Sequence, residues 1–284
     1  MKKVLAIILL ATLPLSAQLL WRGAKTMKQG SFIGMVGLYY KDLVKSYNWT
    51  DEEWQEISGS SYLEIGGNLM VGYGVLDNLE FLVHIPVVMK DYDVQGTSSS
   101  SSGIGDVFPK LRFMAIRGGK EMPVFLTFLA AARFPTGDKD ASPALGDGTI
   151  DIGGGFLLMT RKMNKFKFHV KGAYWYNGKT DSDVDIGDCV IGIGKIDYHV
   201  APKVMPFLNF TGKYFFAKRD SAGNEVANSE KQRFEVIPGL VWKPIKGLSI
   251  RPKVKFPIPT PALNKGGKLY TFMPGLDIWY AFKP

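Results

Sequence analysis

The chain has 284 residues, 46% of them hydrophobic, and a formal net charge of +9. That length fits one barrel or two soluble domains, and the basic charge alone would also fit a nucleic-acid-binding protein. The single cysteine, Cys189, excludes an internal disulfide, and no stretch after the N-terminal leader reaches the roughly 20 continuous apolar residues of a membrane-spanning helix.

The first residues have the pattern of a secretory signal. Lys2 and Lys3 give a charged start, residues 4–10 form an apolar run, and a small-residue cleavage site follows. The run is short for a retained membrane anchor, and no cysteine follows it for lipid attachment. We therefore predict a signal peptide over residues 1–17 and an exported domain over residues 18–284. Export argues against nucleic acid as a partner and favours anionic lipid head groups or an anionic solute.

About twelve segments then alternate apolar and polar side chains with the period of two that predicts β-strands. In one of them, Phe168 and Val170 alternate with Lys167 and His169. The segments cover residues 32–41, 62–73, 79–88, 104–113, 124–134, 150–160, 166–176, 188–198, 208–216, 233–242, 250–258 and 271–282. The first, fifth and eighth are less clean, because they are apolar or glycine-rich on both faces.

The connectors between these segments alternate between short and long. The short ones are residues 74–78, 117–123, 161–165, 199–203 and 244–247, and the long ones are residues 92–102, 136–149, 177–187, 218–232 and 261–268. A soluble sandwich has no reason to keep two classes of connector in register. An up-and-down barrel in an outer membrane does, because it has tight periplasmic turns and longer outer loops.

For two of the outer connectors the sequence also indicates the local structure. Residues 97–102 are a Ser/Thr-rich stretch, which predicts a flexible loop. Residues 42–59 fit either a solvated loop or a short helical turn, because Thr50 followed by Glu53 resembles a capping box.

Several prolines fall inside the predicted strands. A proline removes one donor from the hydrogen-bond ladder, so we expect bulges or early strand ends at several of them. These prolines are Pro86, Pro109, Pro238, Pro252, Pro257 and Pro274.

Parity alone does not tell a soluble sheet from a membrane barrel, since the apolar face packs a core in one and meets lipid in the other. Export and the alternating connectors favour the barrel. The last strand also favours it, because Trp279, Tyr280 and Phe282 resemble the aromatic C-terminal strand that the outer-membrane assembly machinery recognises, although Lys283 and Pro284 follow. We predict an all-β, antiparallel up-and-down transmembrane β-barrel of about twelve strands in a Gram-negative-type outer membrane.

The middle of the chain carries three motifs of glycine, aspartate and turn residues. Residues 103–107 open one strand, residues 134–138 close the next, and residues 145–153 open the one after. In their order and spacing they resemble the family of outer-membrane barrels named after the meta-pathway of phenol degradation, over roughly residues 60 to 284. The resemblance implies uptake of aromatic or other hydrophobic compounds. The motif residues either shape strand ends or contact the solute directly.

In a barrel, parity places a predominantly basic set of side chains in the lumen, with Asp106 and Asp151 among its acidic partners. The predicted pore-lining residues are Lys110, Arg112, Arg133, Lys167, His169, Lys171, Lys213, Arg233, Arg251, Lys253, Lys255, Glu64, Glu80, Glu235 and Asp277. Rings of arginine and lysine favour anions in pores. The same residues would equally suit an interior packed with ion pairs, and both interpretations stay open. Arg251, Lys253 and Lys255 form the strongest single stripe.

Catalytic motifs are absent from the sequence: it has no Gly-x-Ser-x-Gly, no His-Glu-x-x-His, no Walker loop and no paired-cysteine site. Parity puts His84 and His169 in the lumen and His199 in a periplasmic turn. Asp138, Asp140 and Asp147 share one loop and would bind a divalent cation weakly at most. We expect no enzyme, cofactor or metal site.

The sequence therefore predicts a porin-like channel for passive uptake of a small hydrophobic, aromatic or anionic solute. Its partners would be outer-membrane lipid, the barrel assembly machinery and the solute. The alternatives are a structural or adhesion barrel with a plugged lumen and functional outer loops, and a barrel hydrolase.

Overall fold

The structure is a computed structural model, and it describes residue 20 and residues 22–119, 121–258 and 260–283. The predicted signal peptide lies outside these residues. Within them the chain forms fifteen strands. The strands are β1 Phe32–Asn48, β2 Glu53–Glu56, β3 Ser60–Leu76, β4 Leu79–Val94, β5 Thr97–Ile104, β6 Phe108–Ile116, β7 Val124–Arg133, β8 Asp151–Thr160, β9 Phe166–Tyr176, β10 Cys189–Tyr198, β11 Val204–Phe215, β12 Lys231–Trp242, β13 Leu248–Pro257, β14 Lys268–Tyr270 and β15 Met273–Phe282. The described residues contain no helix long and apolar enough to cross a membrane.

The strands close into one antiparallel barrel. β1 pairs with β3 on one side and with β15 on the other, which completes the ring. β5 and β6 both pair with β4 and share one position in the wall, and β14 and β15 share another beside β1. The ring therefore has twelve strand positions, which confirms the predicted all-β up-and-down barrel.

The strand side chains alternate between a buried interior and an exposed outer face. In β9, Phe168 and Val170 are 41% and 52% exposed, whereas His169 and Lys171 are each 6% exposed. Apolar side chains outside and charged ones inside are the reverse of a soluble sheet. The outer face is the lipid-facing surface of a transmembrane barrel, where a Lys or Arg at mid-depth would cost about 2–4 kcal/mol.

Exposed aromatic rings form a belt near each end of the barrel. At the end with the short connectors the belt contains Tyr73, Phe113, Phe166, Tyr198, Trp242, Tyr280 and Phe282. At the opposite end it contains Tyr40, Phe134, Tyr174, Tyr176, Tyr214, Phe216 and Phe272. Two such girdles mark the two membrane–water interfaces of an outer-membrane barrel.

One of the predicted long loops is wrong. Residues 97–102 are not a flexible loop, because β4 continues to Val94 and β5 pairs with it from Thr97 onward. The two turn residues, Gln95 and Gly96, both have positive φ angles, of 53° and 81°. This conformation matches the right-handed twist of the flanking strands and allows a two-residue hairpin.

The helical turn considered for residues 42–59 is also wrong. β1 runs on to Asn48, and β2 returns beside it to form a second outer hairpin, the β1–β2 hairpin. The turn between them is closed by Asn48, whose Oδ1 accepts a hydrogen bond from the backbone N–H of Thr50 at 2.9 Å. The Tyr47 and Trp54 rings meet edge to face with centroids 5.2 Å apart, so packing across the hairpin overrides the local capping signal.

None of the prolines in the predicted strands coincides with a bulge, and Pro109, Pro257 and Pro274 lie at or next to strand ends. Pro86 lies opposite the break between β5 and β6, and Pro257 is the last residue of β13. The register shifts of the barrel lie elsewhere, between Leu43 and Lys45, between Gly74 and Leu76 and between Met114 and Ile116. The expectation of proline bulges is therefore wrong, while that of early strand ends holds at Pro257, where β13 ends, and not at Pro86, where β4 continues to Val94. Pro238 and Pro252 stay inside β12 and β13.

Candidate functional site

The structure places the predicted pore-lining side chains on the inner side of the barrel wall. Glu64, Glu80, Lys110, Arg112, Arg133, His169, Lys171, Lys213, Arg233, Glu235 and Asp277 are buried, and Lys167, Arg251, Lys253 and Lys255 are partly buried. Each points inward because its two chain neighbours on the strand point outward to lipid.

Further interior ions were missed by the sequence analysis. They are Arg22, Lys41, Lys90, Lys195, Asp197 and Lys231. Lys41 and Lys195 lie in β1 and β10, whose predicted segments showed no clear polar face. Lys90 lies in β4 beyond the predicted strand end. It is six residues after His84, so continuing the same alternation identifies it as inward-facing.

The N-terminal segment, of which residues 20 and 22–30 are described, enters the barrel from the end with the short connectors. Leu20 and Ala24 pack in an interior cluster with Leu157 and Trp175. Its backbone is held by wall side chains: Lys171 Nζ donates to the Leu20 carbonyl at 2.7 Å, Arg112 donates to the Gly23 carbonyl, and Thr127 donates to the Ala24 carbonyl.

Glu80 anchors this segment by charge. Its carboxylate pairs with Arg112 of the wall and, at 2.7 Å, with Arg22 of the segment, and it accepts the backbone N–H of Met27 at 2.6 Å. The carboxylate of Glu80 is fully buried between the two guanidinium groups, so the ion pairs are costly to separate. The segment therefore occupies this end of the lumen as part of the folded barrel.

The opposite end is partly covered by the loop of residues 134–150. Asp106 fastens it, because its Oδ1 accepts the N–H of Gly137 at 3.0 Å and its Oδ2 accepts the N–H of Asp147 at 3.2 Å. Arg133 pairs with Asp147 at 2.5 Å and also with Asp151. These are the glycine and aspartate residues of the sequence motifs, and in the structure they bond to one another and shape the loop.

The same loop carries the carboxylates considered as cation ligands. Asp138 Oδ1 accepts the N–H of Asp140 at 2.9 Å, and Asp147 is engaged by Arg133. In the part of the chain that is described, no group of three or more potential metal ligands occurs. Lys139 reaches to the neighbouring loop, and the hydrogen bond it donates to Asp181 raises the pKa of its ammonium group.

The β1–β2 hairpin covers another part of this end. Trp54 Nε1 donates to the carbonyl of Asn264 at 3.2 Å. The Trp54 ring also lies 5.2 Å from the Arg233 guanidinium, and the Trp49 ring lies 4.9 Å from Lys265 Nζ. These contacts tie the hairpin to β12 through Arg233 and to the connector that follows β13 through Asn264 and Lys265.

Within the described residues, two adjoining cavities lie inside the barrel, along the wall formed by β9 to β15 and β1. The larger has a volume of about 70 Å³ and the smaller, nearer the long connectors, about 40 Å³. Glu235 and Lys255 border both. The charged residues of the larger cavity are Lys171, Lys195, Arg251, Lys253, Lys255, Glu235 and Asp277, and the smaller adds Lys41, Lys213, Arg233 and Lys268.

Cations outnumber carboxylates along this wall, which we call the basic wall. Lys253 pairs with Asp277, and Lys213 lies 3.5 Å from Glu235. Arg251 and Lys255 have no ion pair within the described residues. Arg251 instead donates to Ser249 Oγ at 3.1 Å and stacks at 4.6 Å on the Trp279 ring. The wall therefore carries a surplus of positive charge that faces the cavities.

The histidines occupy separate environments. His84 stacks on Phe108 with ring centroids 4.5 Å apart, and His169 Nε2 lies 2.8 Å from Asp197 Oδ2. His199 is in a short connector, where burial lowers the pKa of its imidazole. His84 and His169 face the lumen as parity predicted, and in the described residues the bonded partner of His169 is a carboxylate rather than a hydroxyl or thiol nucleophile.

A closed ring of twelve antiparallel strands, an apolar outer belt between two aromatic girdles and an ionic interior together define an outer-membrane β-barrel. No protein-family model matches the sequence, and no curated protein matches it.

Solved structures with the same fold carry little sequence similarity. The COG4313 outer membrane channel from Pseudomonas putida F1 superposes with a TM-score of 0.77 at 12% identity, over 91% of this chain and 98% of that one. The NanC porin superposes with a TM-score of 0.51 at 12% identity, over 87% of this chain and 98% of that one. The transport unit of the autotransporter AIDA-I from Escherichia coli gives 0.51 at 12% identity, over 99% and 97%. At these identities the likeness establishes the fold alone.

Proposed function

We propose that the protein is an outer-membrane channel for passive passage of small solutes, with a preference for anions. The observation that carries the proposal is the basic wall with its two adjoining cavities. Cations that line one cavity or the other lower the electrostatic energy of an anion at successive positions along the lumen, as rings of arginine and lysine do in pores. The names of two barrels of similar fold, an outer membrane channel and a porin, support the same class.

The solute class follows from the lining and from the family resemblance. The larger cavity has apolar side chains beside its charges, including Ile193, Phe207 and Ile237. The motifs that resemble the meta-pathway barrels imply an aromatic or hydrophobic compound. A small solute with both an apolar body and a negative charge satisfies both. We also infer that the outward rings of Tyr280 and Phe282 present the last strand to the barrel assembly machinery.

A structural barrel with a filled lumen is the second candidate. It is favoured by the N-terminal segment, which Glu80 and Lys171 hold inside the wall, and by the loop and hairpin that cover the far end. In a channel, the N-terminal segment must shift for a solute to cross. In a structural barrel it stays in place and the outer loops carry the function.

Deleting residues 20–27 separates the two candidates. Arg112 remains beside Glu80 in this variant, so the buried carboxylate keeps a cationic partner. A channel predicts conductance in planar bilayers and swelling of solute-loaded liposomes for the wild type, and a larger conductance after the deletion. Deletion of residues 221–224, in an exposed outer connector, is the matched control and should leave conductance unchanged. If neither form conducts, although both still migrate as folded barrels in gel electrophoresis, the result would support the structural candidate.

A further inference from the structure

We propose that the larger cavity is a binding site for a small organic monocarboxylate with an apolar body, such as an aromatic acid. The proposal rests on the proposed function, because it names the solute class for the same lumen. The site is built by Arg251, Lys255 and Lys195 on the charged side and by Phe207, Ile193 and Ile237 on the apolar side.

The cations that line the cavity outnumber their carboxylate partners. Among its lining cations, Lys253 is neutralised by Asp277, and Lys195 by Asp197 at 2.8 Å. Glu235 is shared with Lys213. Arg251 and Lys255 have no carboxylate within ion-pair distance in the described residues, although both lie well inside the wall. Interior cations without a partner lose hydration and regain it only from water or a bound anion.

Arg251 is oriented to receive a carboxylate. Its Nε donates to Ser249 Oγ at 3.1 Å, and its plane is supported by the Trp279 ring at 4.6 Å. These contacts fix the side chain while leaving its two terminal nitrogens without a hydrogen bond in the described residues. A planar guanidinium with a free pair of donors matches the two oxygens of a carboxylate, which a point-charge ammonium does not.

The remaining lining selects an apolar body. Phe207, Ile193, Ile237 and Leu20 supply hydrocarbon surface next to the cations. At about 70 Å³, the cavity has room for roughly five waters, by the volume that one water needs. Leu20 belongs to the N-terminal segment, so the site lies where that segment meets the basic wall.

Isothermal titration of the full-length mature barrel in detergent tests the site, with benzoate as the probe. We expect benzoate to bind, benzyl alcohol to bind at least about tenfold more weakly, because it lacks the charge-assisted contacts, and acetate to be weaker as well, because it lacks the ring. The double substitution Arg251→Gln with Lys255→Gln should lower the affinity for benzoate by at least about tenfold. Arg251→Lys should lower it by less. Lys243→Gln with Lys246→Gln, which removes the same charge from an exposed turn, should leave binding unchanged.

Each alternative outcome overturns a stated part of the proposal. Equal binding of benzoate and benzyl alcohol contradicts the anion site, and equal binding of acetate or inorganic phosphate contradicts the apolar selection. Unchanged benzoate affinity in the Arg251 and Lys255 variant, with the fold verified by heat-modifiable migration, contradicts the assignment of residues. Bilayer conductance of the same preparation reports on the channel separately: conductance without benzoate binding refutes only the site, and binding without conductance refutes only the channel.

Discussion

Three interior aromatic rings each lie against a glycine directly opposite them on the neighbouring strand. Tyr39 faces Gly66, Trp175 faces Gly153 and Phe207 faces Gly239. A Cβ added at any of these glycines would fall within 3 Å of ring atoms, so glycine is required for the ring to lie across the wall. Large rings beside glycines let a narrow barrel fill its interior without widening.

Gly239→Ala tests this arrangement at the edge of the proposed site. The new methyl group would lie 2.7 Å from Phe207 Cε1 and must push the ring into the larger cavity. Overpacking of this kind costs about 1–3 kcal/mol, so we expect a lower unfolding midpoint together with weaker benzoate binding. Gly192→Ala is the control, since nothing lies within 4 Å of its added Cβ. Equal stability and affinity in both variants would contradict the packing argument.

The inward position of most charged residues was predictable from the sequence because strand periodicity is strict. Lys110, Arg112 and Lys171 each lie between lipid-facing neighbours, and a one-residue shift would expose them to hydrocarbon. Lys195 and Asp197 were not predicted to face the lumen, because β10 alternates isoleucine with glycine or valine and both of its faces look apolar. Partner choice was not predictable, since the register between strands decides which carboxylate meets which cation.

At the scale of elements, β12 and β13 form the weakest seam in the wall. Only four partner pairs join the described residues of these two strands, against twelve between β11 and β12. Pro238 and Pro252 lie inside the two strands and lack the N–H that a ladder needs. The seam borders the larger cavity, because Ile237 and Arg251 line it from the two strands.

Hydrogen exchange tests the weakness of this seam. We expect backbone amides of β13 that face β12 to exchange faster than amides shared by β11 and β12, because fewer ladder hydrogen bonds protect them. Mass spectrometry of the folded barrel in detergent, with peptides covering β10 to β13, measures the difference. Equal protection on both sides of β12 would show that the missing pairs do not weaken the wall.

The strand set was largely predictable, whereas the outer hairpins were not. The twelve periodic segments correspond to the twelve wall positions. β2 and β5 were missed because their residues are polar, and polar strands beyond the membrane carry no apolar period. The turn at Gln95 and Gly96 also lacks the Asn-Gly or Asp-Gly pair that marks such hairpins most strongly.

At the scale of the whole molecule, the barrel is filled from both ends around two small cavities. The N-terminal segment occupies one end, and the loop over residues 134–150 with the β1–β2 hairpin covers the other. The segment could not be placed from the sequence, because residues 20–30 have no period and their contacts are with residues far away along the chain, such as Glu80, Arg112 and Lys171. In the proposed channel, a lumen of this kind would restrict passage to small solutes.

The central claim is that the basic wall guides anions through the barrel. The most direct measurement is the reversal potential in planar bilayers under a KCl gradient, for the wild type, for Arg251→Glu with Lys253→Glu, and for the turn control Lys243→Glu with Lys246→Glu. The account predicts a chloride-favouring potential in the wild type and the control, and its loss or inversion in the wall variant. A conducting barrel whose ion preference is the same in all three would contradict it.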